Sequence, residues 1–202
     1  VECDVCHIDK ERGILRRNPS VVFPSGLTIN NLGPEGLCME CHQGRASKTT
    51  VDTKITSLGL PNDDTSSTKL TFSNIHYFAA AASQFGTFAK GGYEYAGRTY
   101  DARFSHITGY NACNTCHNPH SLEVNVKACN TCHIGVIDPK DIRYVGSQVD
   151  YDGDGDINEG MYYEILDIMA KELDAVQRYA RTVVGKPIAY DSNANPYWFI
   201  DT

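Results

Sequence analysis

Residues 111–133 read NACNTCHNPHSLEVNVKACNTCH, and the pentapeptide CNTCH stands in them twice, at 113–117 and at 129–133. The same Cys-x-x-Cys-His spacing recurs as CDVCH at 3–7 and CMECH at 38–42, so four copies use all 8 cysteines of the chain. Two thiols so spaced add to the vinyl groups of a haem, and the imidazole that follows ligates the iron. The attachment residues are then Cys3, Cys6, Cys38, Cys41, Cys113, Cys116, Cys129 and Cys132, with His7, His42, His117 and His133 as proximal ligands. Paired thiolates also suit tetrahedral zinc. Zinc does not require a histidine directly after each pair, however, and chance would place four there about once in a million for such a composition. No thiol remains for a disulfide or a nucleophile.

Four macrocycles in 202 residues amount to about one haem per 50 residues, too little polypeptide to insulate each ring. The haems themselves become the core, and neighbouring rings lie close enough to pass electrons. The expected fold is therefore a multihaem cytochrome c, haem-cored, mostly coil with a few α-helices and little β, forming a single tetrahaem domain over 1–202. The formal charge of −7, carried to about −11 by eight propionates and four ferric cores, excludes general nucleic-acid binding, which needs a basic surface. No stretch approaches the 18 apolar residues of a membrane span; the longest candidate is YFAAAA at 77–82. The first motif begins two residues into the chain, which reads as a mature protein after removal of a signal peptide. Since c-type haem is attached outside the cytoplasmic membrane, an extracellular location is expected, with the periplasm as the alternative.

Residues 1–149 form the haem-binding region. Within it, 47–73 hold twelve Ser or Thr in 27 positions, which predicts an exposed irregular loop, a surface on which O-linked sugar is also conceivable. The alanine run predicts a helix over 75–88 that presents His76 at its start. Tyr93, Tyr95, Tyr100, Phe104 and Tyr110 suit packing on haem faces. An amphipathic helix is expected over 161–184 from Tyr162, Ile165, Met169, Leu173, Val176, Ala180 and Val183, ended by Gly185 and Pro187. The aromatic tail, 185–202, reads as a packed arm.

Before that helix stands DYDGDGDINE at 150–159, which follows D-x-D-x-D-G-x-x-x-E. Asp150, Asp152, Asp154, Asp156 and Glu159 suit a calcium ion, with Gly155 at the sharp turn of an EF-hand-type loop. Position 12 of such a loop is normally Glu and here is Met161, so Glu159 is expected to close the shell. The competing reading is an acidic turn that caps the helix without a cation.

Three histidines lie outside the motifs, His76, His106 and His120, and are expected as distal iron ligands. His120 follows His117 by three residues, which span about 10 Å at most. It cannot easily round its own ring, so it is expected to serve a neighbouring haem. One iron is left without a distal histidine; Met161, Met169, the Val1 amine or an open position would complete it, with Met39 the poorest candidate because an attachment motif confines it.

The elements FPSGLTI, GLCMECHQGR, NIHYFAAAA, GGYEY, CNTCHNPHSLEV, DYDGDGDINEG and NPYWF, in this order over most of the chain, resemble OmcE-like tetrahaem c-type cytochromes, which form extracellular nanowire filaments in bacteria and archaea. The resemblance implies low-spin bis-histidine haems and a distal histidine shared between subunits; the missing eighth histidine departs from that pattern. The functional expectation is electron transfer through stacked haems in a polymeric filament that delivers respiratory electrons to an external acceptor. A monomeric periplasmic tetrahaem shuttle is the first alternative, and a reductase with one open haem the second. No Cys-x-x-Cys-Lys variant or cluster of catalytic polar residues favours an enzyme. The lightly covered first haem, on residues 3–7, predicts a homopolymer built by head-to-tail contacts, with His76 the favoured ligand to pass between subunits; folding of the tail over that haem in a monomer is the competing reading.

Overall fold

A computed structural model describes residues 2–76, 78–103, 105–144 and 146–201. The chain combines short helices and three small two-stranded sheets with much coil. It divides into two compact units, Val1–Leu60 with Thr68–Thr115, and Pro61–Ser67 with Cys116–Thr202.

In the first unit, α1 (Cys3–Cys6) leads into the antiparallel pair β1 (His7–Asp9) and β2 (Ile14–Leu15). The strands β3 (Ser20–Val22) and β4 (Thr28–Asn30) pair in register Val21 to Ile29. Their turn is closed by the Gly26 N–H on the Phe23 carbonyl at 2.8 Å. Helix α2 (Glu35–His42) packs on β3 and on α4 (Ala80–Phe85). Gly36 is required there, because a Cβ would stand 2.0 Å from the Asn18 carbonyl oxygen. The protein core of this unit is small: Val21, Phe23, Met39, Ala81, Ala82, Phe85 and Ala89. The Phe23 and Phe85 rings meet edge-on, with centroids 5.5 Å apart.

Two expectations for this unit are corrected. Residues 47–73 are not an irregular loop throughout, for α3 (Lys48–Leu58) is a helix. Ser47 caps it reciprocally with Thr50, and Gly59, at φ 58°, ends it. The Thr53 hydroxyl donates to the Thr49 carbonyl, so a residue usually poor in helices is satisfied within this one. Val51, Ile55 and Leu58 are half-buried at helical spacing. The second correction concerns 75–88. The helix begins at Ala80, and His76 lies before it at φ 75°, with a 3₁₀ turn over Gly86–Phe88 after it. Phe78, also at positive φ (53°), breaks the helical path that alanine content favoured.

One further helical turn, α5, spans Cys113–Cys116. The second unit contains α6 (Val126–Cys129), a 3₁₀ turn at Pro139–Asp141, and α7 (Met161–Tyr179), which passes into a π-turn over Ala180–Val184 and stops at Gly185. Gly160 starts α7: a Cβ there would lie 1.8 Å from the Lys140 carbonyl oxygen, so glycine lets the helix press against 140–141. The tail forms a hairpin, β5 (Ile188–Tyr190) with β6 (Trp198–Ile200), and the Tyr190 and Trp198 rings lie 5.1 Å apart.

Most of the apolar stripe over 161–184 is uncovered: Tyr162, Ile165, Met169, Val176 and Val183 are exposed, Leu173 is half-buried and Ala180 buried. No helix among the described residues is long and apolar enough to cross a membrane.

Candidate haem-attachment and cation sites

Each Cys-x-x-Cys pair lies on a helical turn. In α1 and α5 the two cysteines bound a single turn, and in α2 Cys38 and Cys41 are one turn apart. In the fourth motif Cys129 ends α6, and the Cys132 and His133 N–H groups both reach its carbonyl, at 3.1 and 2.8 Å. Residues i and i+3 of a helix share a face, so the first three pairs each present both thiols to the same side. All eight are free thiols; Cys3, Cys38, Cys41 and Cys132 are exposed, and the other four are half-buried. Such a donor set fits double thioether attachment to a planar ring.

The imidazoles add to that fit. His42 Nδ1 lies 2.5 Å from the Phe78 carbonyl oxygen, and His117 Nδ1 lies 3.1 Å from that of Leu122. A carbonyl only accepts, so in both rings Nδ1 carries the hydrogen and Nε2 keeps its lone pair for a metal. Within the first unit, the Cys38 and Cys113 thiols are close enough to influence each other, so the leading cysteines of the second and third motifs are neighbours. Cys113 is the main influence that pulls the Cys38 thiol down to about 6, and Cys38 in turn pushes Cys113 up. In the second unit, burial first and then the neighbouring Cys129 raise Cys116.

The three distal candidates are all exposed. The Asn74 side chain accepts from the His76 N–H at 2.7 Å and holds that residue before α4. His106 stacks edge-on with Tyr110, centroids 6.2 Å apart. His120 stands on a closed loop: His117 bridges to Val124, and Asn118 Oδ1 accepts from the N–H groups of His120 and Ser121. Of the other iron-ligand candidates, Met39 is buried in the core, Met161 and Met169 are on α7, and Val1 lies outside the described residues.

The acidic loop is wound by its own side chains. Asp150 accepts from the N–H groups of Gly153 and Gly155, and Asp152, Asp154 and Asp156 each accept from the N–H two residues on. Two carboxylate oxygens, Asp152 Oδ2 and Glu159 Oε1, are buried without a hydrogen-bond partner, and the Asp152 side chain is wholly enclosed. Burial pushes both carboxyls above their ordinary range, and the charge of Asp154 raises them further. Buried acid oxygens with no donor are what a bound cation would satisfy.

The sequence pattern did not reveal three participants. Glu164 brings its oxygens together with those of Asp150 and Asp152, and Asp167 does so with those of Asp152 and Asp154. Arg143 joins Glu164 at 2.5 Å and also donates to the Glu159 and Val149 carbonyls. Glu164 in turn accepts from the Tyr151 and Asp152 N–H groups. The missing acid at position 12 was the one available signal; Glu164 stands three residues later, in the first turn of α7. No protein-family model matches the chain, and no curated protein or solved structure is significantly similar to it.

Proposed function

We propose that this chain is a multihaem c-type cytochrome, an electron-transfer protein that carries four covalent haems. The observation that carries the reading is the placing of three Cys-x-x-Cys pairs within helices and the fourth on a hydrogen-bonded turn, all with free thiols, joined to an Nδ1–H tautomer at His42 and His117 that leaves Nε2 for a metal. The haems, when bound, supply iron centres that each exchange one electron. The chain's part is to hold those centres close: the contact of Cys38 with Cys113 draws the second and third attachment points together. The many exposed large hydrophobic side chains, Ile134 and Ile137 among them, support rings packed on the polypeptide's surface.

More particularly, we read the protein as an extracellular filament subunit that joins copies head to tail, with calcium in the 150–159 loop. The resemblance of the ordered sequence elements to nanowire cytochromes supports this, and so do apolar faces that a lone chain would leave in water. Four haems per chain are expected in the alkaline pyridine spectrum of protein made in a host that attaches haem c, and three after Cys129→Ser with Cys132→Ser. A colourless wild-type protein, or one that binds zinc in place of haem, would defeat the reading. Electron micrographs of the same protein should show filaments; monomers alone at high concentration in calcium buffer would favour the shuttle.

A further inference from the structure

The two proximal imidazoles with defined Nδ1 partners share an unusual feature. Phe78 stands at φ 53° and Leu122 at φ 64°, and both supply the accepting carbonyl from the left-handed region that bulky side chains avoid. Both side chains are largely exposed, 76% and 59%, so burial of the side chain does not compensate the backbone conformation. In each case the conformation aims a carbonyl at an imidazole. For Leu122 the turn is built by the Asn118 loop, where the Leu122 N–H donates to the Asn118 carbonyl at 2.8 Å and the Asn118 N–H to that of Glu123 at 2.9 Å. At Phe78 the same carbonyl also accepts from the Ala80 N–H at 2.7 Å, at the start of α4.

We propose that Phe78 and Leu122 are positioning residues, whose left-handed backbone aims a carbonyl at His42 and His117 and so lowers the reduction potentials of the second and third haems. This rests on the haem reading above. A hydrogen bond from Nδ1 makes the imidazole a stronger donor through Nε2, and a stronger donor favours ferric over ferrous iron. Both bonds act in the same sense, so the second and third haems are both lowered.

The test uses the full haem-loaded chain and two substitutions at each position. Phe78→Val and Leu122→Val keep an apolar side chain but reject positive φ, whereas Phe78→Gly and Leu122→Gly remove the side chain and accept it. Spectroelectrochemical titration should show each valine variant raising one midpoint by about tenfold in the reduction equilibrium, near 59 mV for one electron. Each glycine variant should return the midpoint to that of the wild type. Haem content, counted in parallel, should stay at four. Valine and glycine variants that titrate alike, or valine variants that do not shift, would overturn the inference while leaving the haem reading intact. A wild-type chain without haem would overturn both.

Discussion

On the proposed reading, four irons would use eight imidazoles if all were six-coordinate through histidine, and the chain has seven histidines. The expected outcome is three bis-imidazole haems and one of different ligation, checked by low-temperature electron paramagnetic resonance and by carbon monoxide binding. Four equivalent low-spin signals with no gas binding would remove the open-haem alternative. Glu164 carries a second residue-scale prediction. Burial, the largest single influence, pushes its carboxyl up, but the Arg143 guanidinium and the Asp152 and Tyr151 N–H groups together hold it below the usual range. A depressed acid pKa contributes stability that is present above the unfolded value, about 4.3 for Glu, and is lost as pH falls through the folded value. Asp152 and Glu159, pushed up by burial, act in the opposite sense at higher pH. Melting followed against pH should show an acid limb that Glu164→Gln flattens; an unaltered limb would exclude Glu164 as its source.

Among the elements, α3 and α7 show how caps and loops do what periodicity alone does not. The reciprocal Ser47–Thr50 cap satisfies N–H groups at the start of α3, and Ser47→Ala should cost about 1 kcal/mol in urea unfolding. The start of α7 is held by the Arg143–Glu164 pair and by the wound acidic loop. Calcium at a hundred times its dissociation constant would add about 2.7 kcal/mol, a rise of roughly 5–10 °C in melting temperature for a chain of this length. Chelator should reverse that rise, and Asp152→Asn should reduce it. Melting unchanged by chelator, with no calcium found by elemental analysis, would leave the helix-capping reading.

At the scale of the whole molecule, the buried apolar cluster among the described residues is small, while many large apolar side chains are exposed, Ile134 and Ile137 the most so. Haem attachment should cover part of that apolar surface. Haem-free chain produced without the attachment machinery is therefore expected to bind a hydrophobic dye strongly and to unfold without a sharp transition, whereas the haem-loaded form binds little dye and melts cooperatively. Equal dye binding by the two forms would show that the haems do not cover this surface.

The Cys-x-x-Cys-His spacings and the acids at 150–159, on which the haem and calcium proposals rest, stand in the sequence because covalent attachment and hard-cation ligation would each need particular residue types at fixed short spacings. The amphipathic pattern over 161–184 was legible for a related reason, since a helix repeats every few residues. Residues 47–58 were misread because serine and threonine are counted as loop formers, whereas α3 uses them as cap and back-bonding groups. His76 was misplaced because alanine content says nothing of where a left-handed residue interrupts the chain. Only the tertiary structure brought Arg143 and Glu164 together, 21 residues apart, and set Cys38 beside Cys113 and the Phe78 carbonyl beside His42. Such contacts depend on how distant segments pack, and local spacing carries no record of that.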